Sequence, residues 1–245
     1  MNKKWIVWGV ALLALMLFLS PEIAHAAPGG IVKAASKIGI GKILFLVFFG
    51  LIFAPFVIYT MIRSAKNSKK TLADLEMLSK THPQYAWLDT KDRAIEVFYW
   101  VWSAWKDQKM SQAANFTTPW YWQNQQHILD EWRAQGIENV CRVQEISDVK
   151  PLFVQHNAAN NGEGSRLVVS ISAKVVDYLR KTDTGEIVKG DEKEGDLQTV
   201  WTFKWEGGAW RLNLIEPSEK EWDYEKLVNV VPVAAPSEQG IAQRI

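Results

Sequence analysis

Asp177 and Tyr178 stand at the end of a strand-like run, 166–181, in which Leu167, Val169, Ile171, Ala173 and Val175 alternate onto one face. Asp177 continues that apolar face. A carboxylate in such a place can act as a general base if burial raises its pKa, with a tyrosine as hydrogen-bond donor. A charge at a strand end is more often solvated, or here paired with Arg180 or Lys181. The other reactive groups are scattered. His82, His127 and His156 stand alone in sequence, with no second His and no Cys at ligand spacing. There is no CxxC, HExxH or EF-hand pattern, no phosphate-binding glycine loop behind a strand and no GxSxG elbow. No metal site and no cofactor are therefore expected. Cys141 is the single cysteine, which excludes an intrachain disulfide and fits a reducing compartment.

The stronger signal is aromatic. The chain has 13 tryptophans, and large aromatic side chains dominate both cores and binding hot spots. Three of them sit in a hairpin at 197–215. One arm alternates Leu197, Thr199, Trp201, Phe203, Trp205 against Gln198, Val200, Thr202, Lys204. The other alternates Trp210, Leu212, Leu214 against Arg211, Asn213, Ile215. Period two predicts strands with one buried face, and Gly207-Gly208 supplies the positive φ of a tight turn. A face this aromatic needs a deep apolar partner, which predicts a curved sheet closed by helices.

The helices precede it. Ala94, Val97, Phe98, Val101, Trp102 and Trp105 form one stripe at helical spacing, capped by Asp89 or Thr90 and ending near Gln108. Ile95, Tyr99 and Trp100 widen the stripe, so this helix is expected to be covered on more than one side. A second helix starts with Thr118 as N-cap and Pro119 at N1 and stops at Gly136. Trp120 and Trp122 straddle Tyr121 and cannot all point inward, so one is expected to face a partner, the membrane surface or a pocket mouth. Strands are then expected at 140–150, 152–156 and 166–181. A turn at Thr184-Gly185 follows, then a short arm at 186–190 and a charged, mobile loop at 191–196 before the hairpin. Helices followed by four to five antiparallel strands make an α+β class.

The first quarter is of another kind. Lys3 and Lys4, an apolar run over 5–19 and Ala24-His25-Ala26 read as a signal peptide cut near Ala26, or as an uncleaved anchor. A second run, 43–62, has no charge and is long enough to cross a bilayer. Arg63, Lys66, Lys69 and Lys70 follow it, against Lys33 and Lys37 in the loop before it. The positive-inside rule then places everything after Arg63 in the cytoplasm. Those four cations also suit anionic lipid headgroups. Residues 71–245 carry 19 Lys/Arg against 26 Asp/Glu, a net charge of −7, while the whole chain is +1. An acidic domain is a poor nucleic-acid binder, because phosphate contacts dominate such affinity.

The ordered pieces resemble a known family. They are the helix from Ala94 to Trp105, Phe116-Thr-Thr-Pro-Trp120, Leu129-Asp-Glu-Trp-Arg-Ala-Gln-Gly136 and Ile146-Ser-Asp-Val149. Val175-Val-Asp-Tyr178, Thr184-Gly-Glu-Ile-Val-Lys-Gly190, Val200-Trp-Thr-Phe203 and Trp210-Arg-Leu212 complete the set. Together they resemble the Tim-forty-four-like domain, named for the scaffold subunit of the mitochondrial inner-membrane import motor and including bacterial membrane-anchored members. The resemblance covers residues 89 to about 216. It implies a nuclear-transport-factor-two-like cone: a curved antiparallel sheet packed on helices after an N-terminal signal and one transmembrane helix. It implies no enzyme activity, but binding of a protein or peptide near translocation machinery at the bacterial inner membrane. The chain departs from the mitochondrial protein in having no long chaperone-recruiting region and no transit peptide. Phe98, Trp102, Trp105, Asp177, Trp201 and Trp205 are the candidate cone lining. Arg63, Lys66, Lys69, Lys70, Trp120 and Trp122 are the candidate partner or membrane surface.

The expected organisation is a signal peptide or anchor at 1–26, a short loop at 27–41, a transmembrane helix at 42–62 and a basic linker at 63–88. The domain occupies 89–228 and a flexible tail 229–245. Two other readings fit the same pieces: a cone-fold enzyme with Asp177 as base, and a periplasmic assembly subunit of a type IV secretion apparatus. A reporter fused after Ile245 tests the topology. Alkaline phosphatase fused there should be inactive in intact cells; activity would reverse the orientation.

Overall fold

A computed structural model describes residues 40–232. The expected signal peptide, most of the loop after it and the last part of the expected tail lie outside the described residues. The chain divides into two compact units, Met1–Arg63 and Ser64–Ile245, and helix α1 (Ile40–Ser79) contributes to both.

In the first unit the described part of α1 presents apolar side chains to its surroundings. Phe48, Leu51, Ile52, Ile58 and Met61 are all exposed, Leu51 by 70%. Phe49 and Phe53 stack at 5.1 Å between ring centroids. Pro55 lies inside the helix, where it removes one backbone donor. The Thr60 hydroxyl is satisfied locally, donating to the Val57 carbonyl at 2.8 Å. Among the described residues α1 is one helix long and apolar enough to cross a membrane.

In the second unit the stretch expected as a linker is helical through Ser79. Thr71, Leu75 and Leu78 are buried, and Asn67 and Thr71 both donate to the Leu152 carbonyl, at 2.8 and 3.3 Å. Packing, rather than the weak amphipathicity of this stretch, holds it helical. Helix α2 (Trp87–Lys106) follows a one-turn 3-10 helix at Pro83–Tyr85. It starts two residues earlier than Asp89, with Ala86 at its N-cap and no side-chain cap. Thr90 instead donates to the carbonyls of Ala86 and Gln84, at 2.8 and 3.2 Å. Helix α3 (Pro119–Ala134) starts as its sequence predicts: the Thr118 hydroxyl accepts from the Tyr121 amide at 3.3 Å. Gly136, just past its end, has φ +67°.

Four antiparallel strands make one sheet in the order β1 (Ile137–Gln155), β2 (Arg166–Lys181), β3 (Ile187–Glu206), β4 (Ala209–Pro217). The two short strands expected at 140–150 and 152–156 are one strand, with irregularities between Val143 and Glu145, Ile146 and Asp148, and Pro151 and Phe153. The charged stretch 191–196 is not a loop. It belongs to β3 and pairs with β2, Asp191 opposite Asp177 and Asp196 opposite Lys174. Gly207 and Gly208 turn the hairpin with φ of +61° and +78°.

Helix α2 lies on one face of this sheet. Ala94, Val97, Phe98, Val101 and Ala104 are buried in a common core with Val169, Ile171, Trp201 and Phe203. Each such large side chain gains roughly 1.5–3 kcal/mol from leaving water. Phe98 meets Trp201 at 5.1 Å between ring centroids. The expectation that α2 is covered on further sides meets Tyr99 and Trp100, which are 46% and 43% exposed. Trp100 stacks flat on Phe116 at 4.9 Å.

The hairpin buries more than the one face its alternation predicts. Val200 and Thr202, on the other face, are also buried. Val200 packs with Leu152, Phe153 and Val168 under Tyr224 of the one-turn helix α4 (Glu221–Tyr224). Glu221 fastens that turn, pairing with Lys150 at 2.6 Å and accepting from Gln198 at 2.7 Å. A bulge at Asn213 pairs Leu212 with Phe203 but Ile215 with Trp201. Ile215 therefore changes to the Trp201 face, against the simple alternation. Residues 229–230, expected as tail, are also held: Val230 exchanges hydrogen bonds with Val154 and His156, at 3.0 and 2.8 Å.

His82 and His156, isolated in sequence, come together at 4.5 Å between rings. His156 is buried and its Nδ1 shares a 2.8 Å hydrogen bond with the Tyr85 hydroxyl. Burial, and then the neighbouring His82, hold its pKa below the ordinary histidine value. A depressed folded pKa favours the neutral ring, so the stability it contributes is present above about pH 6.5 and is lost as pH falls through the folded pKa. Urea midpoints of the wild type should fall between pH 7.5 and 5 more steeply than those of His156→Asn. Equal slopes would exclude His156 as the source.

Candidate functional site

A cavity of about 340 Å³ opens between α2, α3 and the α2-facing side of the sheet. Six aromatic residues line it: Trp102 and Trp105 from α2, Trp120, Tyr121 and Trp132 from α3, and Trp201 from β3. Helical spacing delivers those on α2 and α3, and strand alternation delivers Trp201. Trp102 and Trp105 are one turn apart at the end of the α2 stripe, and Trp105 meets Trp132 at 5.6 Å. Val101, Leu197, Leu214 and Ile215 complete the apolar wall. The Asn213 bulge is what brings Ile215 to this side.

The polar lining is concentrated on β1 and β2. Cys141 lies directly opposite Asp177 in the ladder, and Asn139, two residues earlier, shares its face. Asn139 Nδ2 donates to Asp177 Oδ1 at 2.8 Å. Asp177 is exposed at the rim and is the one charged side chain among the described residues lining the cavity. Two features of the backbone aim it. The β2–β3 ladder shifts register between Val175 and Asp177. Gly190, with φ +90°, lies opposite Tyr178, and a Cβ built there would come within 2.6 Å of the Asp177 carbonyl oxygen.

The cavity takes up part of the expected lining. Trp102, Trp105, Asp177 and Trp201 line it. Phe98 is buried in the core beside Trp102 and Trp201. Trp205 packs edge-on against Trp210 at 5.3 Å. Of the two tryptophans flanking Tyr121, Trp120 stands 56% exposed at the cavity, while Trp122 packs on the core. Lys66, Lys69 and Lys70 are exposed on α1, and Arg63 is half-buried there. Tyr178, next to Asp177, points to the opposite face of β2, and neither it nor Tyr99 lines the cavity. Asn139, Cys141, Tyr121 and Trp132 belong to the site without having been singled out for it. Their signal was present: 139 and 141 alternate in step with each other, and Tyr121 and Trp132 lie three turns apart on α3.

Cys141 is buried, and its Sγ donates weakly to the Trp102 carbonyl at 3.7 Å. Burial, then the negative charge of Asp177, push its thiol up to about 12. Lys106 pulls the other way and Asp107 adds to the rise.

The fold and site together define an α+β domain with a four-stranded antiparallel sheet and an aromatic pocket carrying one carboxylate. No family model and no curated protein matches the chain. Among solved structures it is similar to the intermembrane space region of chloroplast protein ARC6, with 11% identity and a TM-score of 0.38 over 51% of this chain and 92% of that one. A likeness at this level assigns no function.

With its pKa near 12, about one Cys141 thiol in ten thousand is ionised at pH 8. Thiol-specific reagents should therefore leave the native protein unlabelled and label one cysteine after denaturation. Rapid labelling of the native protein would contradict the burial of Cys141.

Proposed function

We propose that this chain is a membrane-anchored, non-enzymatic binding protein of the Tim-forty-four-like class. In this reading its α+β unit is a nuclear-transport-factor-two-like cone facing the cytoplasm at a bacterial inner membrane. It binds a protein or peptide segment and assists translocation or membrane-complex assembly. The observation that carries the reading is the open aromatic cavity of about 340 Å³, in a chain with a helix long and apolar enough to span a bilayer. Concave, mostly apolar pockets with a few placed polar groups are the usual form of a binding site. Rigid tryptophans give contact area at low conformational cost. The order of motifs along 89–216 supports the family, and the cations after residue 62 support the orientation.

Site-specific photocrosslinking tests this reading. A photoreactive residue at Gln125, which lines the cavity, should capture a protein partner in native membranes. The same residue at the exposed Gln123 should capture less. Trp120→Ala should reduce the Gln125 adduct severalfold, because Trp120 flanks the opening. Equal capture at the two positions would overturn the assignment of the cavity as the binding site.

A further inference from the structure

We propose that the cavity receives an organic cation on an apolar stem, supplied as a lysine side chain flanked by apolar residues in the bound segment. This deepens the binding function proposed above and rests on it. The lining selects the chemistry. Six aromatic residues and four aliphatic ones accept an apolar stem, and ring faces attract a positive charge. Asp177 is the one charged side chain among the described residues lining the cavity, and it is negative. Asn139 holds one of its carboxylate oxygens at 2.8 Å. The carboxylate stays exposed at the rim, so it can take a further donor from a ligand. Asn139 also donates to the Tyr178 carbonyl at 3.4 Å, which anchors it to the sheet.

The charges around the polar end agree. Of the three that act on Cys141, Asp177 and Asp107 are negative and Lys106 is positive. The net charge of residues 71–245 is −7, which disfavours an anionic guest at longer range. A neutral apolar guest would leave Asp177 without a partner from the ligand, and an anionic one would face it. The cavity volume suits one side chain and its immediate neighbours rather than a folded element.

The test uses the full chain in detergent micelles or nanodiscs and reads tryptophan fluorescence, since five tryptophans line the cavity. Three probes of one shape are titrated: 2-phenylethylammonium, 2-phenylethanol and phenylacetate. A fourth is the capped tripeptide Leu-Lys-Leu, with Leu-norleucine-Leu as its uncharged control. The ammonium should bind roughly five- to thirtyfold more tightly than the alcohol, and phenylacetate should bind more weakly still. Asp177→Asn keeps an oxygen acceptor for Asn139 and should abolish most of the preference for the cation. Trp120→Ala should weaken the ammonium and the alcohol together. Equal binding of ammonium and alcohol, or a preference unchanged in Asp177→Asn, overturns the cation site and leaves the broader binding function standing. Ammonium binding with exclusion of the lysine peptide keeps the cation site but overturns its peptide source, and with it the protein-binding function. Binding of both the ammonium and the lysine peptide supports both.

Discussion

Phe98 on α2 and Trp201 on β3 meet face to tilted face at 5.1 Å, and most of the second unit is arranged around that contact. Trp201 is fully buried, and its indole N–H donates to Thr199 at 2.9 Å. Neither end of the ring is left unsatisfied. Val200 and Thr202, its neighbours along the strand, are buried on the opposite face. A strand packed on both faces cannot slip by one residue, because the slip would exchange an indole for a valine on each side. The contact thus sets the register of β3, and through it the pairing of β2 and β4. The cavity follows: Trp102, stacked on Phe98, and Trp201 are both core-supported and both form its wall.

Much of this architecture is legible in the residues because local signals agree with tertiary packing. Thr118 and Pro119 have one good use, and the structure uses them so. The Gly207-Gly208 hairpin is equally direct. What resists reading has physical causes. Residues 191–196 carry five charges and no apolar alternation, yet they are strand because β2 pairs with Asp191, Gly195 and Asp196 on either side of a register shift. The Asn213 bulge leaves no mark that alternation can show, and it moves Ile215 into the site. His82 and His156 meet only because α1 and β1 end at the same corner of the fold. Within the site, Trp102, Trp105, Trp201 and Asp177 follow from periodicity. The pairing of Cys141 with Asp177 needs the register of two strands whose ladder is broken three times.

One helix serves two solvents. Through residue 62 the described side chains of α1 are largely apolar and exposed, a surface that suits lipid far better than water. From Thr71 onward the same helix buries one residue in every three or four against the sheet. Between these stretches Lys66, Lys69 and Lys70 are exposed. Composition along α1 therefore changes as its surroundings change, which is why a near-neutral total charge says little about either part.

Gly190 has no atom in the cavity, yet it lies against the main chain of Asp177 and Tyr178, closer than any side chain could. The placement of the site's single acid is thus decided on the neighbouring strand, in the exposed arm of β3. A map of tolerated substitutions would show an isolated intolerant position in an otherwise permissive, highly charged segment. Variation around the pocket could retune its contacts one ring at a time, while a single methyl group on the arm would displace its charge.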